Sequence, residues 1–167
     1  EEHASRVRDH YVPLLRKHDR SHLVVDWAIE DQQQLRFAVL ADIGNVREAS
    51  ILDVGCGVGH LAGWLQERDF AGSYTGIDIL PEMVDRAQES YPELNFEVAN
   101  FTDDPARWKA DLVFASGIFP LGDVELMKKT ISAMFDSCKR GIAFNSLSAW
   151  SPVKYPDHFM FVDPIEI

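Results

Sequence analysis

The sequence predicts an α/β protein with a doubly wound, mainly parallel sheet and additional helices at its N-terminus. Three observations favour this class. From residue 48 onward, short apolar segments alternate with amphipathic ones, which is typical of successive strand–helix units. The strand segments are almost continuously apolar, as expected when helices cover both faces of a parallel sheet. The length of 167 residues suits one compact domain.

Two helices are predicted before the sheet begins. The first covers residues 5–20 and carries Val7, Tyr11, Leu14 and Leu15 on one face. The second covers residues 31–40 and ends before Gly44. We therefore expect residues 1–47 to form a helical cap on the α/β core.

The core, residues 48–147, is predicted to contain five strands and three helices. The strands are expected at 51–54, 73–78, 95–99, 111–116 and 142–147. The first two helices are expected at 60–68 and from Pro81 to about residue 91. The third is expected to begin after an N-cap at Asp123. Its last turn would contain Lys139 and Arg140, and Gly141 would be the residue after the C-cap. Residues 148–167 are assigned to a substrate-side loop and tail.

Composition excludes several classes of partner. The formal net charge is −11, and so acidic a chain repels nucleic-acid phosphates and anionic lipid. A small molecule or another protein is the expected partner, and no metal-binding motif is present. The two cysteines form no disulfide framework, which indicates a reducing, cytoplasmic setting.

The stretch ILDVGCGVGHL carries the main functional signal, because glycines at positions 55, 57 and 59 follow the first strand. Such a loop lets a ligand approach the backbone, although it is also compatible with a merely tight turn. The dinucleotide fingerprint G-x-G-x-x-G would require glycine where His60 stands. A P-loop is excluded because no Gly-Lys-Ser/Thr follows.

With Asp53 and with Asp78 at the end of the second strand, this loop resembles the first motifs of class I S-adenosylmethionine-dependent methyltransferases. The resemblance covers residues 51–147. YTGID, FASGIF and GIAFNSLS, together with Trp27 and Gln33-x-x-Arg36-Phe37, are similar to small bacterial members with an N-terminal helical cap.

The resemblance implies a set of cofactor-binding positions. Asp78 would bind the ribose hydroxyls, Asn100 stands where the family usually has an acidic residue near adenine, and Asp53 and Ser116 would face the methionine end. The full set is Arg36, Asp53, Gly55, Cys56, Gly57, Gly59, Asp78, Ile79, Met83, Asn100, Phe101 and Ser116. Helix capping by Asp78, loop bracing by Asp53, core packing by Met83 and a solvated Arg36 are the structural alternatives.

The expected activity is methyl transfer from S-adenosylmethionine to a small molecule. A non-catalytic cofactor-binding or scaffold domain is the alternative, and a nicotinamide-dependent oxidoreductase is a further one. No residue is assigned as a catalytic base, because His60, Asp123 and Asn145 each have an ordinary structural explanation. Trp150 and Tyr155, in the segment after the fifth strand, are possible contacts for a flat substrate.

The C-terminal end predicts an incomplete sheet. The family has seven strands, but only 20 residues follow Leu147, and three of them are prolines. We expect five or six strands, with residues 158–162 as the one possible addition and the fifth strand at or near an open edge. Such an edge needs a cover, which implies either a cut chain or a partner subunit.

Overall fold

The computed structural model describes residues 2–19, 21–26, 29–153 and 157–166. Five helices and two short 3₁₀ turns alternate with five strands. In chain order the elements are α1 (Glu2–His18), a 3₁₀ turn (His22–Val25), α2 (Glu30–Ala41), β1 (Ser50–Val54), α3 (His60–Gln66), β2 (Ser73–Asp78), α4 (Pro81–Ser90), β3 (Asn95–Val98), a second 3₁₀ turn (Pro105–Arg107), β4 (Ala110–Ala115), α5 (Val124–Ser137) and β5 (Cys138–Phe144).

The five strands form one parallel sheet in the order β3-β2-β1-β4-β5. This confirms the predicted doubly wound architecture. The chain first moves outward from β1 to β3 and then returns to the other side of β1 to add β4. Strand order therefore reverses between β1 and β4, and in open α/β sheets the crevice beyond the carboxyl ends of such strands is where ligands bind.

The central strands are buried because helices cover both faces of the sheet. Ile51 and Leu112 face one apolar cluster, together with Leu65 of α3 and Ala87 of α4. Leu52 and the neighbouring residues of β4 face a second cluster, which includes Met134 of α5. The alternation of side chains along each strand explains how neighbouring residues serve opposite clusters.

The N-terminal cap packs against α4 rather than standing apart from the core. Val24 of the first 3₁₀ turn is fully buried beside Leu80 and Met83. Two ion pairs accompany this contact, between Arg8 and Glu82 and between Asp19 and Arg86. The cap is thereby held over the carboxyl edge of β1 and β2.

The prediction for the end of α5 is wrong. The helix ends at Ser137, and β5 already begins at Cys138, which pairs with Ala110 of β4. Gly141 pairs with Leu112 in the sheet instead of following a helix end, and a Cβ there would lie 2.9 Å from a side-chain carbon of Ile43. Pairing with β4 thus outweighs the local helix-end signals of the sequence.

The fifth strand lies at the end of the sheet, as predicted. Beyond β5, the described residues add only an isolated parallel bridge between Ser148 and Val162. The possible strand at 158–162 is therefore reduced to a single bridge. None of the described helices is both long and apolar enough to cross a bilayer.

Candidate cofactor site

A cavity lies at the carboxyl ends of β1, β2 and β4, beneath the N-terminal cap. The structure brings most of the predicted cofactor residues into its lining: Asp53, Gly55, Cys56, Gly57, Asp78, Ile79, Met83, Asn100, Phe101 and Ser116. Gly59 and Arg36 are not among the residues that line it. Residues of β5 also stay outside this lining, so the cavity is built without the edge strand.

The backbone N–H groups of the glycine loop are engaged within the protein. The N–H groups of Gly55 and Cys56 both donate to the Ile77 carbonyl, at 2.8 and 3.0 Å. Gly57 donates to Asp78 Oδ2 at 3.0 Å, and Gly59 donates to the Cys56 carbonyl at 3.0 Å. A phosphate cradle would instead aim these N–H groups at the ligand. The loop is therefore poorly suited to a dinucleotide pyrophosphate.

The three glycines of the loop have different structural reasons to be glycine, although all have positive φ. Gly55 and Gly57 form the cavity wall, where an added Cβ would meet Ile118 at 2.2 Å and Val25 at 3.0 Å. Gly59 faces the other way, and its Cβ would lie 3.0 Å from the ring of Tyr91. Gly59 thus allows close helix–strand packing, the task of the third glycine in the dinucleotide fingerprint, one position earlier.

Asp78 connects β2 to the glycine loop. Its Oδ2 accepts from the N–H of Gly57, and its Oδ1 accepts from the N–H of Leu80 at 2.9 Å. Burial raises the pKa of Asp78, and the hydrogen bonds from these backbone groups oppose that rise. Since a carboxylate has about four lone-pair positions, both oxygens retain acceptor capacity toward the cavity.

Asp53 is the most deeply buried acid of the cavity, with only 2% of its surface exposed. Its Oδ2 accepts a 2.6 Å hydrogen bond from the hydroxyl of Tyr74. Burial raises the pKa of Asp53 to about 7, the Tyr74 hydrogen bond opposes this, and Asp78 adds to it. The Asp53 carboxylate therefore hydrogen-bonds a side chain of the neighbouring strand β2 rather than the backbone of the glycine loop.

The region beyond β2 and β3 is mainly apolar. Ile79, Met83 and Phe101 line the cavity, and Met83 and Phe101 are also almost fully buried in the core. Asn100 uses its amide group locally, since it donates to Asp103 at 2.9 Å and accepts from Thr102 at 3.2 Å.

Asn145 braces the loop after β4. Its Oδ1 accepts from the N–H of Gly117 at 2.9 Å, and its amide nitrogen donates to the Ser116 hydroxyl at 3.0 Å. Asp123 is an N-cap, because it accepts from the N–H of Leu126. Both residues thus have the structural roles that the sequence favoured over catalysis.

The charge of the lining separates the two cofactor classes considered above. Its acids are Asp53 and Asp78, and neither Lys nor Arg occurs among the described residues that surround the cavity. Such a site attracts a cationic ligand and repels the pyrophosphate of a nicotinamide dinucleotide.

Residues 51–141 match the family model described as a methyltransferase domain, which is more than half of the chain. The chain belongs to this family. It is a class I S-adenosylmethionine-dependent methyltransferase, and S-adenosylmethionine is its cofactor. A putative methyltransferase of Mycobacterium tuberculosis is 36% identical over an alignment of 126 positions, which covers 69% of this chain and 74% of that protein.

Other relatives match over shorter regions. The malonyl-[acyl-carrier protein] O-methyltransferase of Acetivibrio thermocellus is 35% identical over 48% of this chain, but the match spans only 29% of that protein. The magnesium protoporphyrin IX methyltransferase of Synechocystis PCC 6803, solved with bound S-adenosylmethionine, superimposes with a TM-score of 0.75 at 21% identity. That superposition covers 98% of this chain and 81% of the solved one, and it shows the fold.

The cap supplies further residues of the methyltransferase cavity, and His3 is one that the sequence patterns did not reveal. His3 and Tyr11 of α1 line it, and Gln33 of α2 hydrogen-bonds His60 Nδ1 at 3.1 Å across it. Nδ1 of His3 is buried and has no hydrogen-bond partner among the described residues. A lone histidine near a helix start carries no motif, so only the fold could bring it to the site.

Trp150 and Arg36 do not reach the cavity lining. Trp150 is 61% exposed and does not line it. Trp27 and Tyr155 lie outside the described residues. Arg36 is half-buried on α2 and has interactions of its own.

Proposed function

We propose that the methyltransferase uses the cavity to hold S-adenosylmethionine and transfers its methyl group to a small-molecule acceptor. The observation that carries the proposal is the acidic lining: Asp53 and Asp78 face the cavity without a Lys or Arg among the described lining residues. S-adenosylmethionine carries a sulfonium and an ammonium group, so its positive charges complement these carboxylates.

We assign the adenosine end of the cofactor to the β2 side of the cavity. Asp78 would accept hydrogen bonds from the ribose hydroxyls, and Ile79, Met83 and Phe101 would contact the adenine faces. Asn100 would accept one bond from the adenine amino group through its amide oxygen. These residues lie together in the lining, which supports the assignment.

We assign the methionine end to the space between β1 and β4. The wall formed by Gly55, Cys56 and Gly57 leads there, with Ser116 opposite and Asp53 at the base. Arg36, which the resemblance included in the cofactor-binding set, lies outside the lining, so we assign it no contact with the cofactor. Gly59 is assigned to helix packing rather than to ligand contact.

The chemistry needs little covalent participation by the protein. S-adenosylmethionine supplies a methyl group already activated by its positive sulfur. The chain's own contribution is to hold both partners in line and to exclude water, which the cap of α1 and α2 is placed to do. We place the acceptor between α1 and the loop after β4, where His3 and Tyr11 face the cavity.

His3 is our candidate for the proton acceptor when the substrate is a neutral hydroxyl or amine. Its Nδ1 is buried without a hydrogen-bond partner among the described residues, so we assign the proton-accepting role to this nitrogen. Burial, followed by nearby Arg6, lowers the pKa of His3, while Leu121 and Asp123 oppose this. The lowered pKa favours the unprotonated ring, which is the form that a base requires.

We also propose a division of labour along the chain and a cytoplasmic setting. Residues 1–47 would close the site, 48–147 bind the cofactor and 148–167 lie on the substrate side. Free cysteines at 56 and 138 support a reducing compartment.

We further propose that a second copy of this chain covers β5. Ile142, Ala143 and Phe144 line a shallow apolar depression with Val39, which is 67% exposed, and Ile43. Uncovered apolar edges favour association. Light scattering at low micromolar concentration should detect a dimer, and a monodisperse monomer would refute this part of the proposal.

Two measurements test the main proposal. Isothermal titration calorimetry should show binding of S-adenosylhomocysteine and no binding of NAD. Transfer of labelled methyl from S-adenosylmethionine should then be measured on a panel of small hydroxyl, amine, thiol and carboxylate compounds. Binding without transfer to any class would favour the scaffold alternative, and NAD binding alone would favour the oxidoreductase.

A further inference from the structure

The pair formed by Asp53 and Tyr74 joins two neighbouring strands beneath the cavity. Tyr74 is the second residue of β2 and is 4% exposed. Its hydroxyl donates to Asp53 Oδ2 at 2.6 Å, and Asp53 in turn lines the cavity whereas Tyr74 does not. Burying an ionisable pair below a ligand site costs free energy unless the buried carboxylate acquires a charged partner.

We propose that Tyr74 is a positioning residue that holds the Asp53 carboxylate ready for the ammonium group of the cofactor. The inference rests on the proposed function, because it needs a cationic ligand in the cavity. The two cavity acids differ in a way that selects Asp53 for this role. Both oxygens of Asp78 accept backbone N–H bonds, whereas the structure records a side-chain hydroxyl on one oxygen of Asp53.

The same arrangement makes cofactor binding depend on pH. Among the described residues, the titratable groups that act on Asp53 are Tyr74, Asp78 and Cys56, and none of these is a cation. Burial raises the pKa of Asp53 to about 7, so the acid is half protonated in the empty site near neutral pH. An ammonium group favours the ionised form, and binding below pH 7 must therefore release a proton.

The release of a proton from Asp53 sets the direction in which cofactor affinity changes with pH. Affinity should rise as pH increases to about 7, by roughly tenfold for each pH unit well below that value. It should fall again only at alkaline pH, where the α-amino group of the ligand loses its own proton. Since the Tyr74 hydrogen bond lowers the pKa of Asp53, removing the hydroxyl should move the rising limb to higher pH.

The experiment compares two ligands that differ in the ammonium-bearing part. S-adenosylhomocysteine has the amino-acid end, whereas 5′-methylthioadenosine has the same adenosine and thioether without it. Calorimetric titrations between about pH 5.5 and 8.5 should show the rising limb for the first ligand only. Tyr74→Phe should weaken the binding of S-adenosylhomocysteine on the order of fivefold at pH 7 and by less at pH 8. The same substitution should leave the affinity for methylthioadenosine unchanged.

Tyr91→Phe is the matched control. Tyr91 belongs to the same aromatic group around Phe96 but does not line the cavity, and the same single hydroxyl is removed. We expect its pH profile to follow that of the parent. Equal pH profiles for the two ligands, or an equal effect of Tyr74→Phe on both, would overturn the inference while leaving the cofactor assignment intact. If neither ligand binds the parent protein, the proposed function itself fails.

Discussion

Replacing Asp78 by Ala tests the adenosine half of the site most directly. The substitution removes the acceptor of two backbone N–H groups, those of Gly57 and Leu80 at 3.0 and 2.9 Å, together with the proposed acceptor for ribose. Loss of hydrogen bonds to a charged group costs about 1.5–3 kcal/mol. The affinity for S-adenosylhomocysteine should therefore fall by about 10- to 150-fold at pH 7.5. Calorimetry on the folded variant, with its melting temperature recorded, is the assay.

The ribose contribution can be separated from the support that Asp78 gives the loop. Asp85→Ala makes the same chemical change on the exposed face of α4 and should leave the affinity unaltered. Removing both ribose hydroxyls from 5′-methylthioadenosine should weaken its binding to the parent protein but hardly change its binding to Asp78→Ala. If the variant binds S-adenosylhomocysteine as tightly as the parent, or still discriminates the dideoxy ligand, the ribose assignment is wrong.

Three further substitutions separate packing, charge and catalysis. Gly59→Ala should lower the free energy of unfolding by about 1–3 kcal/mol, because φ is +85° and Tyr91 is 3.0 Å away, without a separate loss of affinity for S-adenosylhomocysteine. Asp53→Asn should stabilise the ligand-free protein in urea denaturation. The pKa of about 7 for Asp53 in the folded protein lies above that of an unfolded Asp, so the ionised acid lowers the free energy of unfolding. The stability gained by Asp53→Asn should therefore grow from about pH 4 to 7 and then level off. A gain that does not change with pH would contradict this prediction. His3→Gln keeps a polar side chain of similar size but lacks the base. Transfer to neutral acceptors should therefore fall by about 10²-fold with unchanged affinity for S-adenosylhomocysteine, and full activity would exclude His3.

The glycine loop illustrates why spacing alone left the ligand open. A G-x-G-x-G sequence predicts a backbone that a ligand can approach, but it does not say where the N–H groups point. In the structure they point at the Ile77 carbonyl, at Asp78 and at Cys56. With the acidic lining, this accounts for a site that suits a cation rather than a pyrophosphate.

The sequence by itself determined the fold class, the order of strands and helices, and the loop and acid of the cofactor motif. These are local properties, because hydrophobic periodicity, turn glycines and strand-end acids act within a few residues of the chain. Ser73–Asp78 was therefore predicted to the residue. β5 also lies at the end of the described sheet, as predicted.

Only the tertiary structure decided the end of α5, the partner of Asp53 and the place of His3. The helix ended early because pairing with β4 engages Cys138 and Gly141 as strand residues. Tyr74 met Asp53 because β2 lies beside β1, across 21 residues of sequence. His3 reached the cavity because the cap packs on α4. Each of these results from packing between distant segments, which no local pattern encodes.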